Sequence, residues 1–278
     1  MHTRGYILER VLGSGAFGQV FLAHNQTKPG YFAVKKIKKS PQLANNIVQE
    51  VNAGLSLDHE NIIHFVESFE DDENAFLVYE YLPGNKTTVK FTNILGSDLF
   101  TFIEEGNFQA IPEIHCRRIF KQIVDAVVYC HSNGILHMDI KLDNIMLNRA
   151  NLKATLIDFG LCQQIDSVIG DKVTKRCGSV EYVAPEMNFF STQDINISGK
   201  KVDAWCLGVV LYAMLTATFP FSKTERYQMS NNCMKKPTLK FCAPIADTAR
   251  DLCEKLLCFD PSNRMSVNEI AEHPWMRS

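Results

Sequence analysis

His137-Met138-Asp139-Ile140-Lys141-Leu142-Asp143-Asn144, followed after a patterned interval by Asp158-Phe159-Gly160, is the stretch on which the fold turns. Between the two lie apolar runs, Ile145-Met146-Leu147 and Ala154-Thr155-Leu156-Ile157, separated by the polar residues Asn148 to Lys153. Two such runs around a polar turn pair as antiparallel strands. That pairing brings Asn144, entering the first strand, close to Asp158, leaving the second. An amide oxygen and a carboxylate so placed make a hard site suited to magnesium, which keeps several waters and shares its ligands with substrate phosphates. Asp139 then stands beside the metal as an acceptor for a hydroxyl proton, and Lys141 adds positive charge there. Taken alone, the same charges would pass for an ordinary solvated loop, so the decision rests on the rest of the chain.

The stretch resembles the catalytic and metal-binding loops of eukaryotic protein kinases, whose pattern is His-Arg-Asp-Leu-x-x-x-Asn and then Asp-Phe-Gly. Met138 departs from it. The resemblance implies that Asp139 accepts or orients the hydroxyl proton, that Lys141 steadies phosphate charge, and that Asn144 and Asp158 hold Mg2+ beside ATP.

Composition sets the outer bounds. The 278 residues are 46% hydrophobic, enough for substantial cores. With 29 basic and 31 acidic residues the net charge is -2, so no broad attraction to nucleic acid or anionic membrane is indicated. No apolar stretch approaches the ~20 residues needed to cross a bilayer, and no signal-peptide pattern opens the chain. Nine scattered cysteines, without Cys-x-x-Cys spacing, fit reduced thiols in a cytoplasmic or nuclear protein.

Upstream, Tyr6 to Leu12 runs into Gly13-Ser14-Gly15-Ala16-Phe17-Gly18-Gln19-Val20. Strand, glycine-rich turn and strand let a backbone approach phosphates where a Cβ would block it. A dinucleotide fold would need a helix after Gly18, but Gln19 to Ala23 reads as strand, which excludes that fold. Tyr31-Phe32-Ala33-Val34-Lys35 ends on a lysine placed as in the kinase Val-Ala-Ile-Lys motif, and without the glycine loop it would be one member of a basic run. The resemblance implies that Lys35 holds the α- and β-phosphates and that Glu50, on a helix from Ala44 to Leu57, pairs with it. It also implies a nucleotide site of Gly13, Gly15, Gly18, Val20, Ala33, Glu80, Leu82 and Met146, with Tyr79 at the back and Asp98 near the ribose. Gly54 stands where relatives carry an apolar side chain that stacks on Phe159 and on a residue here matched by Phe65. Glycine offers nothing to stack and weakens a helix by about 1 kcal/mol relative to alanine. The helix is therefore expected to be mobile until ATP, a partner or the neighbouring Leu55 orders it.

After Leu82-Pro83-Gly84 about a dozen residues, Asn85 to Gly96, are inserted before Asp98-Leu99-Phe100. Such a loop beside a cleft is either a tolerated surface loop, the commoner outcome, or a regulatory arm that receives a partner, here with a β-hairpin around Thr87 to Phe91. Pro112 to Cys130 has helical spacing and leads into His137, whose role is structural. Ala204 to Ala217 is almost wholly apolar, hence buried on all sides. The resemblance implies that Asp203 ties down the catalytic-loop backbone and that Arg264 pairs with Glu186. Cys177 to Tyr182 resembles the segment that seats a substrate Ser or Thr. Where relatives are latched by a phosphorylated loop residue and the arginine before the catalytic Asp, this chain has Lys175 and Met138, so the usual phosphate latch is absent. Thr174 keeps phosphorylation open.

The motifs run in order from Gly13 to Trp275. They imply an α+β, two-lobed protein kinase fold as one domain: N-lobe to about residue 81, hinge with insertion 82–97, C-lobe 98–278. The implied function is an ATP-dependent Ser/Thr kinase acting on protein hydroxyls, nearest in motif detail to the calcium/calmodulin- and AMP-activated group. Asp98 and Asp143 suggest basic residues ahead of the acceptor. The rivals are a pseudokinase scaffold, favoured by Met138, Gly54 and the insertion, and a Wee-like dual-specificity kinase. Retention of Lys35, Glu50, Asp139, Asn144 and Asp158 weighs against the scaffold, which has no chemical need of all five.

Overall fold

Alternating apolar residues at the N-terminal end produce an antiparallel sheet. A computed structural model describes residues 2–15, 18–82, 97–189, 196–230, 238–241 and 244–277. Its first elements are β1 (His2–Thr3), β2 (Tyr6–Gly15), β3 (Gly18–Asn25), β4 (Tyr31–Lys38), helix α1 (Pro41–Ser56), β5 (Phe65–Glu70) and β6 (Asn74–Glu80). The six strands form one sheet in the order β1-β2-β3-β4-β6-β5, antiparallel throughout. The insertion Asn85 to Gly96 and its expected hairpin lie outside the described residues.

The two-residue period of the strands decides which side chains reach the site. Val34, Phe76 and Val78 join Tyr6 and Ala23 on one face. Ile37, Ala75 and Leu77 face the other way, against Leu43, Ile47 and Val51 of α1. Lys35 and Tyr79 share the parity of that second face, so strand geometry alone aims both at α1. The helix begins at Pro41 rather than Ala44. Proline suits the first turn, where its missing N–H has no partner to lose.

The remainder is mainly helical. It comprises α2 (Leu99–Glu105), α3 (Glu113–Ser132), β7 (Ile135–Leu136), β8 (Ile145–Asn148), β9 (Lys153–Leu156), β10 (Gln163–Gln164), α4 (Gly199–Thr216), α5 (Lys223–Ser230), α6 (Asp247–Leu256), α7 (Val267–Ile270) and α8 (Pro274–Arg277). Every residue of α4 from Val202 to Leu215 is buried, as its unbroken apolarity demands. Arg264, 1% exposed, makes a two-pronged pair with Glu186 at 2.6 and 2.9 Å. Trp275 closes the core, its ring against Phe120 and its indole N–H donating to Glu113 at 2.8 Å. Sheet-rich and helix-rich parts make this the α+β, two-lobed architecture that the sequence implied. Among the described residues no helix is long and apolar enough to cross a membrane.

Candidate active site

β8 and β9 pair antiparallel with Ile145 opposite Leu156, which sets Asn144 and Ile157 side by side at the mouth of the hairpin, the Ile157 N–H donating to the Asn144 carbonyl at 2.9 Å. The loop before the hairpin is fixed from below. Asp203, fully buried on α4, accepts the backbone N–H of His137 at 3.0 Å on one oxygen and that of Met138 at 2.9 Å on the other, and pairs with the His131 ring at 2.8 Å. Three partners satisfy a carboxylate that would be costly to bury alone. They also hold Met138 in the left-handed region, φ 66°, which a non-glycine residue rarely adopts. His137 donates from Nε2 to the Ile157 carbonyl (3.1 Å) and lies 4.8 Å from the Phe159 ring, a packing role.

Asp139 is nearly sealed, at 6% exposure, and its two oxygens have different partners. Lys141 Nζ and Asn144 Nδ2 donate to Oδ2 at 2.7 and 3.0 Å, and the Ser179 hydroxyl donates to Oδ1 at 3.0 Å. Lys141 also reaches the Ser179 oxygen at 2.9 Å. A lysine, a carboxylate and a hydroxyl thus meet at one point.

A second charged cluster lies under the sheet. Lys35 donates to both oxygens of Glu50, at 2.7 and 2.8 Å, and to Asp158 Oδ1 at 2.7 Å. Burial works against the Lys35 charge, but Glu50 and Asp158 together hold its pKa above the usual lysine value. One ammonium cannot fully serve two carboxylates. Burial pushes the deeper Glu50 upward against the pull of Lys35, while Asp158, also opposed by burial, is drawn below its usual range by Lys35. The cluster is one positive charge short.

That deficit, with the donor set, fits magnesium. The amide nitrogen of Asn144 is spent on Asp139, leaving its carbonyl oxygen, and Asp158 offers a second carboxylate oxygen on a side chain 34% exposed. Two protein oxygens suit an ion that takes the rest of its shell from water and substrate. Asp158 sits in the left-handed region at φ 61°, with the Gly160 N–H on its Oδ1 at 3.3 Å.

Most of the residues expected to hold a nucleotide lie on the sheet and on β8. β2 and β3 form a hairpin in which Gly13 faces Val20 and Gly15 faces Gly18. A Cβ on Gly18, whose φ is 149°, would come within 2.2 Å of the Lys36 carbonyl oxygen, whereas Gly13 and Gly15 border open space. Val20, Ala33 and Met146 are half-buried, as residues lining a cleft would be. The Glu80 N–H is bonded to the His64 carbonyl, and its side chain accepts the His64 N–H. Asp98 bridges to Met146, but its carboxylate caps α2, taking the Thr101 N–H and hydroxyl at 2.8 Å each. The sequence suggested proximity to a ribose and did not show this prior commitment.

The expectation for Gly54 needs correction. Its position is not left without a packing partner: a Cβ there would lie 2.5 Å from the Phe65 ring, so the aromatic side chain fills the room the glycine leaves. Helix α1 is seated with Glu50 on Lys35, and Leu55, expected to help order it, is 73% exposed. Three further contacts had no signal in the sequence. Tyr79 donates its hydroxyl to Glu50 at 2.8 Å. Asn46 of α1 donates to the Gly160 carbonyl at 2.7 Å and accepts from Lys175 at 3.2 Å, joining α1, the loop from Asp158 to Gly160 and the segment after it.

Comparison with known proteins agrees with this geometry. Residues 6–276 match the family model described as protein kinase domain. Sperm motility kinase 2B of Mus musculus is 32% identical over 273 residues, 98% of this chain and 51% of that protein. Testis-specific serine/threonine-protein kinase 3 of Mus musculus is 32% identical over 281 residues, 99% of this chain and 97% of that protein. Serine/threonine-protein kinase cds1 of Schizosaccharomyces pombe is 32% identical over 287 residues, 97% of this chain and 58% of that protein. The chain spans about half the length of sperm motility kinase 2B and 37% of another relative, probable serine/threonine-protein kinase fhkE of Dictyostelium discoideum.

Proposed function

The chain belongs to the protein kinase domain family, and from that premise we propose that it transfers the γ-phosphoryl group of ATP to Ser and Thr hydroxyls of protein substrates. The observation that carries the reading is Asp139, which already accepts a serine hydroxyl on one oxygen while Lys141 balances the other. An acceptor hydroxyl taking the place of Ser179 would hand its proton to Asp139 as its oxygen bonds the γ-phosphorus and the bond to the β-γ bridging oxygen breaks. Lys35, fixed by Glu50, steadies the α- and β-phosphates, and Gly13, Gly15 and Gly18 bring backbone over them. Val20, Ala33 and Met146 flank the adenine, the Glu80 carbonyl and Leu82 backbone bond its edge, and Asp98 keeps lone pairs for the ribose. Asn144 and Asp158 would hold Mg2+, which when bound neutralises phosphate charge. Positioning and charge account for most of the rate.

The finer reading is a kinase that works without a phosphorylated latch. In support, Met138 is 1% exposed, and Lys175 reaches α1 directly through Asn46, while Thr174 donates both N–H and hydroxyl to Gln163 at 3.0 and 2.8 Å. A cation thus links the segment to the helix where relatives use a phosphate. The division into N-lobe 1–81, hinge 82–97 and C-lobe 98–278, kinship with the calcium/calmodulin- and AMP-activated group, and a preference for basic residues beside the exposed Asp143 belong to the same proposal. So does a regulatory partner at the insertion.

The test is transfer from labelled Mg-ATP to a generic protein and a degenerate peptide library, comparing the purified chain, Asp139→Asn and Thr174→Ala. Turnover lost in Asp139→Asn and kept in Thr174→Ala is the expected result. Nucleotide binding without turnover would favour the scaffold, transfer to tyrosine the dual-specificity reading, and no enrichment of Arg or Lys would reject the basic preference.

A further inference from the structure

Glu50 is 2% exposed, and the cation it faces is shared. Lys35 gives it two hydrogen bonds but also serves Asp158, so the buried carboxylate needs a further donor. The Tyr79 hydroxyl, 2.8 Å from Oε1, is that donor. Its place is set by the sheet: Tyr79 stands opposite Ala33 on one neighbouring strand and opposite Phe65 on the other. The Phe65 ring meets the Tyr79 ring edge-on at 5.5 Å and 71°. Phe65 also occupies the room beside Gly54, where a Cβ would stand 2.5 Å from the ring. Gly54 lies four residues after Glu50, one turn along the same face of α1. Helix, Phe65, Tyr79 and helix again close a loop of contacts.

We propose that Tyr79 is a positioning residue for phosphoryl transfer: its hydroxyl, braced by Phe65 against the notch at Gly54, clamps Glu50 and keeps α1 and Lys35 in working geometry. The proposal rests on the reading of the chain as an active kinase. It gives Gly54 a purpose, since any side chain there would displace Phe65, on which Tyr79 leans. The two aromatic residues do, by packing and one hydrogen bond, what a side chain at position 54 would do by stacking.

The experiment compares wild type, Tyr79→Phe, Gly54→Leu and the Gly54→Leu/Phe65→Ala double variant, reading kcat, KM for Mg-ATP and amide hydrogen exchange over residues 41–56. Tyr79→Phe keeps the ring and removes the clamp. It should lower kcat/KM about tenfold, the order expected for one hydrogen bond to a charged group, and speed exchange across α1. Gly54→Leu should lose activity through the displaced Phe65, and the double variant should recover part of it. Unchanged kcat/KM with unchanged exchange in Tyr79→Phe overturns the proposal. A fall in turnover with unchanged exchange also overturns it, because the hydroxyl would then act elsewhere than on the helix. If wild type shows no transfer above Asp139→Asn, the kinase reading fails, and the exchange comparison still decides whether the clamp exists.

Discussion

The two halves of the active site are held in place by different physics. The catalytic loop rests on α4, whose residues from Val202 to Leu215 are all buried, and Asp203 reaches out of that packed helix to fix the backbone. Helix α1 buries only Glu50 and Ala53 and leaves Val48 and Leu55 55% and 73% exposed. Besides the packing of Leu43, Ile47 and Val51 on the sheet, its seat depends on polar contacts to Lys35, Tyr79, Gly160 and Lys175. Groups packed on all sides move only when the domain unfolds, whereas a helix held by one apolar face and a few hydrogen bonds can shift while the rest stays folded. The difference predicts that damage to the anchors of the first half shows as lost stability, and damage to the anchors of the second as lost turnover.

Arg264→Ala attacks the packed half most severely. It leaves Glu186, which is only slightly exposed, without its cation, so a loss of about 3–5 kcal/mol is expected in a denaturant titration. A drop below about 1 kcal/mol would break the comparison, because that value suits a surface pair. Asp139→Asn, on the same rigid loop, should cost at least about 100-fold in kcat, the range for general-base removal, with melting little changed. A large fall in melting would mean that the loop is not held from α4 alone.

Lys175→Ala samples the polar half. Removing its bond to Asn46 should lower kcat a few-fold, on the order of 1 kcal/mol, and speed hydrogen exchange in α1 without altering the denaturation midpoint. A shifted midpoint with unaltered exchange would move that contact to the packed class. The smallest effect concerns thiols. Burial pushes Cys206 on α4 well above its usual value and Cys162, under α1, up to about 12, so both are protonated and slow toward alkylation at pH 8. Cys162, whose thiol faces the Gln49 carbonyl of α1, should nevertheless label first, because α1 opens more readily than α4. Peptide mass mapping over time decides the order, and Cys206 labelling first would contradict it.

What the sequence made legible follows the same divide. The β8–β9 pairing and the all-buried α4 are periodicity made solid. The Arg264–Glu186 and Lys35–Glu50 pairs came from the family resemblance, and the second forms because strand parity and helix placement both aim at one face. What escaped comes from side chains crossing between elements. The Phe65 ring reaches Gly54 from a neighbouring strand, Asp98 turns its carboxylate into the first turn of α2, and Lys175 finds Asn46 at a separation of 129 residues. No local pattern encodes such meetings, so a missing side chain at position 54 read as a gap although its neighbour fills it. The start of α1 at Pro41 was legible in principle, since proline is favoured in a helix's first turn.

Asp203 also sets an order of events. Met138 holds a backbone conformation that the loop would not choose by itself, and the oxygen that stabilises it arrives 65 residues later in the chain. As the polypeptide emerges from the ribosome, His137 to Asn144 is made well before its anchor exists. The loop then waits, unshaped, until α4 has been synthesised and packed. Catalytic competence is thus among the last properties this domain acquires, and a nascent chain ending before residue 203 would carry every catalytic-loop side chain without the geometry that makes them useful.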